Sequence, residues 1–353
     1  MSKEIYLLLA DGTVYQGKSF GAEGETLGEV VFTTGMTGYQ ETLTDPSYGG
    51  QIVCMTYPLI GNVGINDTDM ESALVGLRGL VVSELCELPS NWKMEKELCA
   101  YLDEQGVTGI YGVDTRALTR RIRQNGALRG RIVEGEPTQA DFDALRTFED
   151  HEQVRRATCK APYVIPGGET EIAVIDFGAK NSLIQCLTDR GCTVKGYPAG
   201  TDAQTILENG CDGVFLTNGP GNPADCAADI ETVRALSEQK PVFGVCLGHL
   251  ILALAMGCGV KRMTYGHHGA NQPVKDLAKN CCYVTTQSHG YMVDPDALAP
   301  NAVVSHVNWN DQTPEGLRYT DRRAFSVQFH PSANGGPRET SYLFDEFLNG
   351  IRA

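Results

Sequence analysis

The sequence contains no apolar run long enough to cross a membrane, and its longest candidate, residues 250–256, is only a helix segment. It shows no secretory signal, because Asp11-Gly12 ends the apolar stretch at residues 5–10 too early. It also has no C-x-x-C pair and no G-x-G-x-x-G motif. We therefore expect a cytoplasmic protein without a nucleotide site of its own.

The sequence also has few basic residues relative to acidic ones. The chain has 29 Lys and Arg against 44 Asp and Glu, which gives a net charge of −15. Such a chain is a poor candidate for binding nucleic acid or an anionic membrane surface. Twelve cysteines are scattered singly, apart from Cys281-Cys282. In a chain of 353 residues without an export signal, we expect reduced thiols rather than disulfides.

The chain changes character near residue 171. Residues 1–150 combine turn signals with short strand-like and helical runs, which predicts a mixed α/β domain. Residues 151–170 are predicted to be a linker, and residues 171–353 alternate apolar strands with helices. That alternation predicts a doubly wound parallel sheet. Individual predictions include helices at 92–105 and 114–125 and strands at 30–34, 51–56, 283–286, 303–307 and 324–329.

The sharpest local signal is the run G-V-C-L-G at residues 244–248, between an apolar strand and a helix. It is a nucleophile-elbow pattern with cysteine in place of serine. Glycines permit the tight turn, and the helix N-terminus stabilises a thiolate. The alternative is a buried structural cysteine between chance glycines. The flanking strand and helix favour Cys246 as the nucleophile.

A thiolate nucleophile needs a basic partner, and His330 is the best placed histidine. It follows a predicted strand, so His330 and Cys246 would both lie at carboxyl ends of parallel strands, where ligands bind. A plain loop histidine is the alternative. His249, three residues past Cys246, more simply packs or orients. The adjacent pair His267-His268 lacks further ligand spacing, so we predict no metal site.

The run T-N-G-P-G-N-P at residues 217–223 also follows a strand. Turn chemistry alone could account for it. The functional interpretation is a loop whose backbone N–H groups stabilise the oxyanion formed when an amide is attacked. The N–H of Leu247, directly after the nucleophile, is the natural second donor.

Together with F-H-P at residues 329–331, these motifs resemble the class I (triad) glutamine amidotransferases over residues 171–353. The runs D-F-G-A-K at 176–180 and Y-G-H-H-G-A-N at 265–271 resemble, more narrowly, the small subunits of carbamoyl-phosphate synthetases. The N-terminal half resembles them too, in its runs at 34–41, 44–48 and 57–64.

This resemblance implies a glutaminase that makes ammonia for a larger partner. Cys246 would form a γ-glutamyl thioester, and His330 would protonate the departing ammonia and activate water. The implied substrate-binding positions are Ser47, Gly219, Gly221, Leu247, Leu250, Ser288, Gly290 and Tyr291. A large subunit would use ATP, Mg²⁺ and bicarbonate to make carbamoyl phosphate for arginine and pyrimidine synthesis, and the two chains would form a heterodimer. No cofactor is expected on this chain.

Three positions depart from the family pattern. Leu250 stands where the family usually has Gln, Ser288 where it has Asn, and Ser332 where it has a Glu that orients the histidine. A serine hydroxyl can bond an imidazole but cannot balance an imidazolium charge. The departures favour, as an alternative, a glutaminase-impaired partner that stabilises or regulates an ammonia-using large subunit. The intact Cys246 and His330 oppose that alternative. A third alternative is a free-standing cysteine hydrolase that acts on another amide. The presence of the N-terminal domain argues against it.

Overall fold

The structure is a computed structural model that describes residues 2–73, 75–332 and 334–352. The chain forms two compact units, Met1–Asp150 with Thr264–Gly269, and His151–Met263 with Ala270–Ala353. Within the described ranges, no helix has the length and apolar character that crossing a bilayer requires. All twelve cysteines have free thiols.

The strands of the first unit are β1 (Glu4–Leu9), β2 (Val14–Gly21), β3 (Thr26–Thr33), β4 (Gln51–Met55), β5 (Leu59–Ile60), β6 (Gly79–Val81), β7 (Glu84–Leu85), β8 (Thr108–Tyr111) and β9 (Leu128–Glu134). Seven of them form a closed barrel with the strand order β1-β2-β8-β6-β4-β3-β9. Its helices are α1 (Tyr39–Thr44), α2 (Leu98–Glu104), α3 (Thr115–Asn125) and α4 (Gln139–Thr147). The short strands β5 and β7 form a separate parallel pair.

Closure of the barrel buries strand residues on its inner and outer faces. Every residue of β4 is buried, and it pairs in parallel with β3 and β6. Apolar side chains of β4 therefore contribute to two clusters, with Val53 in one and Ile52 in the other. A strand buried on both faces lacks the polar alternation of a half-exposed strand, which agrees with its apolar sequence.

The second unit has a ten-stranded sheet with helices on both faces. Its strands are β10 (Tyr163–Ile165), β11 (Glu171–Asp176), β12 (Thr193–Pro198), β13 (Gly213–Leu216), β14 (Val242–Val245), β15 (Val260–Asp276), β16 (Cys281–Val293), β17 (Ala302–Asn308), β18 (Pro314–Tyr319) and β19 (Ala324–Val327). Its helices are α5 (Gln153–Ala157), α6 (Asn181–Thr188), α7 (Ala203–Glu208), α8 (Ala227–Ser237), α9 (Leu247–Ala255) and α10 (Tyr342–Arg352).

Strand order in this sheet is β10-β12-β11-β13-β14-β19-β18-β17-β15-β16. The central strands from β12 to β19 are parallel, and the flanking strands pair antiparallel. Helices α7, α8 and α9 contribute to the core on one face, and α6 and α10 to the core on the other. The predicted doubly wound parallel sheet is confirmed. Its parallel core brings the carboxyl ends of β11, β13, β14 and β19 to one edge.

Two local predictions differ from the structure. The helix predicted at residues 92–105 begins only at Leu98, because Lys96 pairs instead with Ile65 in an isolated antiparallel bridge. The stretch 151–170, expected to be a linker, contains α5 and β10. Strand β10 is the antiparallel edge of the large sheet, paired with β12. Short elements of this kind leave too little periodicity to be recognised from sequence.

Candidate active site

The turn between β14 and α9 holds Cys246 in an unusual backbone conformation, with φ 55° and ψ −107°. Positive φ is sterically disfavoured for a residue with a Cβ. The turn is also very tight. A Cβ at Gly244 would lie 2.7 Å from the carbonyl oxygen of Gly248, and one at Gly248 would lie 2.5 Å from that of Leu216. Both glycines of the motif are therefore required by close backbone approach.

Cys246 is buried, with 1% of its surface exposed. Its backbone N–H donates to the carbonyl of Val327 on β19 at 2.9 Å, which fixes the elbow against the neighbouring strand. Its Sγ lies 3.6 Å from the carbonyl oxygen of Ser288 on β16. Because α9 begins at Leu247, Cys246 is at the N-terminus of this helix, where the helix dipole favours a thiolate.

The loop after β13 lies against the start of α9. A Cβ at Gly219 would lie 2.5 Å from the carbonyl oxygen of Phe177 and 2.9 Å from Leu247 Cδ2. Only glycine allows this approach, which brings the backbone of the loop beside the residue that follows the nucleophile. The backbone N–H groups of Gly219 and Leu247 thus belong to neighbouring segments, and their action on one oxyanion stays a prediction.

A second loop, directly after β11, supports this arrangement. Asn218 Oδ1 accepts a hydrogen bond from the backbone N–H of Lys180 at 3.0 Å. The hydroxyl of Thr217 accepts from the backbone N–H of Phe177 at 3.0 Å and donates to the carbonyl of Asn218 at 2.8 Å. Asn218 and Thr217 are fully buried. The D-F-G-A-K run, which in the sequence supported only the family resemblance, thus holds the loop at residues 217–218 in place.

His330 lies three residues beyond β19 and is 1% exposed. Its backbone N–H donates to the carbonyl of Thr286 at 2.9 Å, in an isolated bridge to β16. Strand β16 therefore contacts both halves of the candidate pair, because Ser288, two residues further on, faces the Cys246 sulfur. Both residues therefore lie beside β16, which their separation of 84 residues in sequence does not indicate.

Ser332, at the position of the expected orienting residue, is buried and bonds to another serine. Its Oγ lies 2.9 Å from the Oγ of Ser182 on α6. Two neutral hydroxyls bring no negative charge toward His330. The sequence analysis did not predict a role for Ser182. The only signal in the sequence for its contact with Ser332 is its place in the first turn of a helix that packs on the sheet.

His249 is completely buried in α9, and its Nδ1 lies 2.8 Å from the hydroxyl of Ser326 on β19. Burial lowers the pKa of His249 to about 3, with a further lowering from nearby His306. The ring is therefore neutral near pH 7. It joins the helix that carries the nucleophile to the strand that leads to His330, which agrees with the predicted packing and orienting role.

The rim residues predicted to bind substrate follow one another along β16. Ser288 is buried, Gly290 has open space where a Cβ would be, and Tyr291 is partly buried against the core. The ring of His289 spans this segment, with Nδ1 2.8 Å from the carbonyl oxygen of Tyr291 and Nε2 2.9 Å from Gln287 Oε1. Backbone groups at 288–291 are thus held in a fixed conformation.

Leu250 and Gly221 have surroundings that the sequence did not indicate. Leu250 is 2% exposed and belongs to the apolar cluster that also contains Leu247, one helical turn before it. Gly221 has φ 92°, and a Cβ there would lie 2.8 Å from Gln153 Oε1. Residue Gln153 of α5 therefore supports the oxyanion loop, although its segment was expected to be a linker.

Ser47 belongs to the first unit. It lies in a 3-10 helix, Pro46–Tyr48, that Asp45 caps by accepting a hydrogen bond from the Ser47 N–H at 2.9 Å. The Ser47 residue is buried. Its part in substrate binding stays a prediction.

Comparison with known proteins matches each unit to a described domain. The family model described as glutamine amidotransferase class-I matches residues 173–349, and the model described as carbamoyl-phosphate synthase small chain, CPSase domain, matches residues 7–132. The second unit is thus a class I glutamine amidotransferase domain. The whole chain belongs to the carbamoyl phosphate synthase small-chain family, as the resemblance of its motifs indicated.

Curated relatives match over nearly the full length. The carbamoyl phosphate synthase small chain of Oceanobacillus iheyensis is 46% identical over 99% of this chain and 97% of its own. That of Symbiobacterium thermophilum is 49% identical over 96% of each chain. Among solved structures, a glutamine amidotransferase of Thermotoga maritima is 17% identical, with a TM-score of 0.40 over 52% of this chain and 85% of its own.

Proposed function

We propose that this chain hydrolyses L-glutamine to glutamate and ammonia and passes the ammonia to a large synthetase subunit. The observation that carries the proposal is the strained elbow at Cys246, with φ 55° between β14 and α9. Such strain persists where function requires a particular side chain at that point. The partners of the elbow, Gly219 and His330, come from the ends of the two adjacent parallel strands.

The chemistry follows from the placement of these groups. The Cys246 thiolate attacks the side-chain carboxamide carbon of glutamine, and the carbonyl oxygen becomes an oxyanion held by the N–H groups of Gly219 and Leu247. Collapse of this intermediate breaks the C–N bond. His330 gives a proton to the departing nitrogen, which leaves as ammonia, and a γ-glutamyl thioester forms. His330 then takes a proton from water, which attacks the thioester and releases glutamate and the thiol.

Glutamine is held by the rim and by the loop. Backbone groups at Gly290 and Tyr291, with Ser288 and Gly221, bind its amino-acid end, and Ser47 and Leu250 complete the set carried over from the family pattern. Leu250 offers only apolar contact. The fixed conformation of β16 around His289 supports binding through backbone groups.

The large subunit supplies the remaining chemistry. It would bind ATP and Mg²⁺ and combine ammonia with bicarbonate to make carbamoyl phosphate for arginine and pyrimidine synthesis in the cytoplasm. The run G-T-V-Y-Q-G-K-S at residues 12–19 has the spacing of a Walker A loop, but it lies in the turn after β1 and in β2 rather than between a strand and a helix. We therefore assign no ATP chemistry to this chain.

The test is Cys246→Ser, assayed together with the large subunit. Glutamine-dependent carbamoyl phosphate synthesis should be lost, while synthesis from added ammonium should stay at the wild-type rate. Cys282→Ser, at an exposed thiol, is the control and should change neither rate. Loss of both activities in a normally assembled Cys246→Ser complex would refute a dedicated glutaminase role. A wild type without glutamine-dependent activity would instead favour the glutaminase-impaired partner.

A further inference from the structure

Helix α3 of the first unit concentrates positive charge in an acidic chain. Its eleven residues include four arginines and no acidic residue, whereas the whole chain has 29 Lys and Arg against 44 Asp and Glu. One of the four, Arg121, pairs with Asp11, with Nε 2.7 Å from Oδ2. The other three are exposed and are Arg116, Arg120 and Arg123. We call these three residues the arginine stripe.

The arginine stripe lies along one face of the helix. Successive residues of an α-helix are about 100° apart around its axis, so positions 116, 120 and 123 fall within an arc of roughly 60°. The opposite face carries Leu118 and Ile122, which are fully buried in an apolar cluster with residues of β1, β3 and β4. The stripe is therefore fixed on the barrel and extends along roughly 10 Å of the helix axis.

The chain does not neutralise this stripe itself. Within residues 2–73, 75–332 and 334–352, no carboxylate lies within ion-pair distance of Arg116, Arg120 or Arg123. The Arg123 guanidinium lies 5.9 Å from the centre of the Tyr265 ring, a contact that leaves its positive charge in place. Arginines three and four residues apart on a helix repel one another. Among the described residues, no negative charge at the stripe offsets this repulsion.

The chemistry of the stripe favours a protein surface that carries carboxylates. All basic residues of α3 are arginine, whose planar fork binds a carboxylate through two parallel hydrogen bonds and which is enriched at protein interfaces. A small anion on an exposed helix face would stay screened by water, whereas a protein surface excludes water from three guanidinium groups at once. The net charge of −15 on each copy disfavours a second copy of this chain as the partner.

We propose that the arginine stripe of α3 docks onto an acidic surface of the large synthetase subunit. Helix α3 lies within residues 7–132, which match the CPSase domain of carbamoyl-phosphate synthase small chains, whereas the amidotransferase match is separate, at residues 173–349. The stripe thus belongs to the part of the chain that marks it as a synthetase subunit, and the identity of the partner rests on the proposed function. Carboxylates of the partner pair with the stripe, speed the encounter and fix its orientation.

The test measures binding of the full chain to the large subunit by isothermal titration calorimetry, without glutamine and at several salt concentrations. Arg116→Ala and Arg120→Ala should each raise Kd about fivefold to tenfold, and the double variant should raise it about fiftyfold. Arg120→Glu should weaken binding more than Arg120→Ala, because it replaces attraction with repulsion. Added salt should weaken binding of the wild type more than binding of the double variant.

Two control variants separate the stripe from general effects. Gln124→Ala shortens an exposed neutral side chain of the same helix, and Arg323→Ala removes an exposed positive charge in the second unit. Neither should change Kd, and thermal unfolding of the stripe variants should match the wild type, because alanine suits a helix. An unchanged Kd in the double variant, or an equal rise in Kd with Gln124→Ala, would overturn the docking surface. Self-association of the chain alone that the double variant abolishes would assign the stripe to a second copy and would also overturn it.

The docking surface and the proposed function fail in different ways. Stripe-dependent binding of the large subunit by a chain that never hydrolyses glutamine would support the docking surface and refute the glutaminase. Glutamine-dependent carbamoyl phosphate synthesis with the same rate and the same Kd in wild type and the double variant would support the proposed function and refute the docking surface.

Discussion

His249 Nδ1 lies 2.8 Å from Ser326 Oγ, so the helix of the nucleophile and the strand that leads to His330 are joined by one buried side-chain contact. Both side chains are fully buried. A hydrogen bond at this point fixes the distance between α9, which directly follows Cys246, and β19, which precedes His330. Because the His249 ring is neutral, the same contact makes the fold sensitive to acid.

We expect acid to destabilise the second unit through His249. In the unfolded chain this histidine takes up a proton below its ordinary pKa of 6.5, whereas burial lowers its folded pKa to about 3. The unfolded state therefore binds the extra proton between these values, and stability falls as pH drops through that window. The slope from one such group approaches ~1.4 kcal/mol per pH unit.

Urea unfolding between pH 7 and pH 5 checks this expectation. His249→Gln should lower stability near neutral pH yet show a shallower loss toward acid. His151→Gln, at an exposed histidine, should follow the wild-type pH dependence. A His249→Gln chain with the wild-type slope would show that His249 does not carry the effect.

The departures at Leu250 and Ser332 predict separable kinetic changes. Leu250→Gln should lower the KM for glutamine by about fivefold, because it restores a hydrogen bond worth ~1 kcal/mol in the bound ground state. Ser332→Glu should act mainly on kcat. The two effects should add, since one residue lies on α9 and the other behind His330.

The changes in KM and kcat are measured by steady-state glutamine hydrolysis with the wild type, both single variants and the double variant. The matched control is Leu252→Gln, at a fully buried leucine of the same helix and cluster. It should destabilise the chain without lowering KM. If Leu250→Gln only destabilises as well, then residue 250 does not face the substrate.

Gly219→Ala should disable the oxyanion loop. The new Cβ would lie 2.5 Å from the carbonyl oxygen of Phe177 and 2.9 Å from Leu247 Cδ2, so the loop has to move. Displacing one oxyanion donor lowers kcat by about 10²–10³-fold. KM should change much less.

The control for this change is Gly350→Ala in α10, where a Cβ meets nothing within 4 Å. It should keep full activity and stabilise the chain by ~0.5–1 kcal/mol, because alanine suits a helix interior better than glycine. Glutaminase assays and thermal unfolding separate the two variants. A Gly219→Ala enzyme with an unchanged kcat would remove Gly219 from the oxyanion site.

Strand β10 should contribute to stability although it lies in a segment expected to be a linker. The Tyr163 ring packs over Gly196 on β12, where a Cβ would lie 2.2 Å from the ring. Tyr163→Ala should therefore lower the free energy of unfolding by about 1–3 kcal/mol. Val164→Ala, on the same strand but 63% exposed, should change it far less. Equal effects in urea unfolding would mean that the packing of Tyr163 is not what holds β10.

The sequence allowed the elbow at Cys246, the loop at residues 217–223 and His330 to be proposed as one site, because each is a short motif directly after an apolar strand. Topology then brings those strand ends together. The sequence did not reveal the pairing of Ser182 with Ser332, because the two residues are 150 positions apart. The sequence also did not reveal the packing of Gln153 against Gly221 or of Tyr163 against Gly196. Such contacts depend on how whole elements pack, and no local periodicity reports them.

The backbone at Cys246 has a consequence for the stability of the second unit. A residue with a Cβ at positive φ carries a conformational cost of roughly 1–3 kcal/mol, and glycine at that point carries much less. The fold by itself would thus favour glycine at position 246. Under the proposed function, the chain holds its nucleophile at the expense of the stability of the unit that carries it.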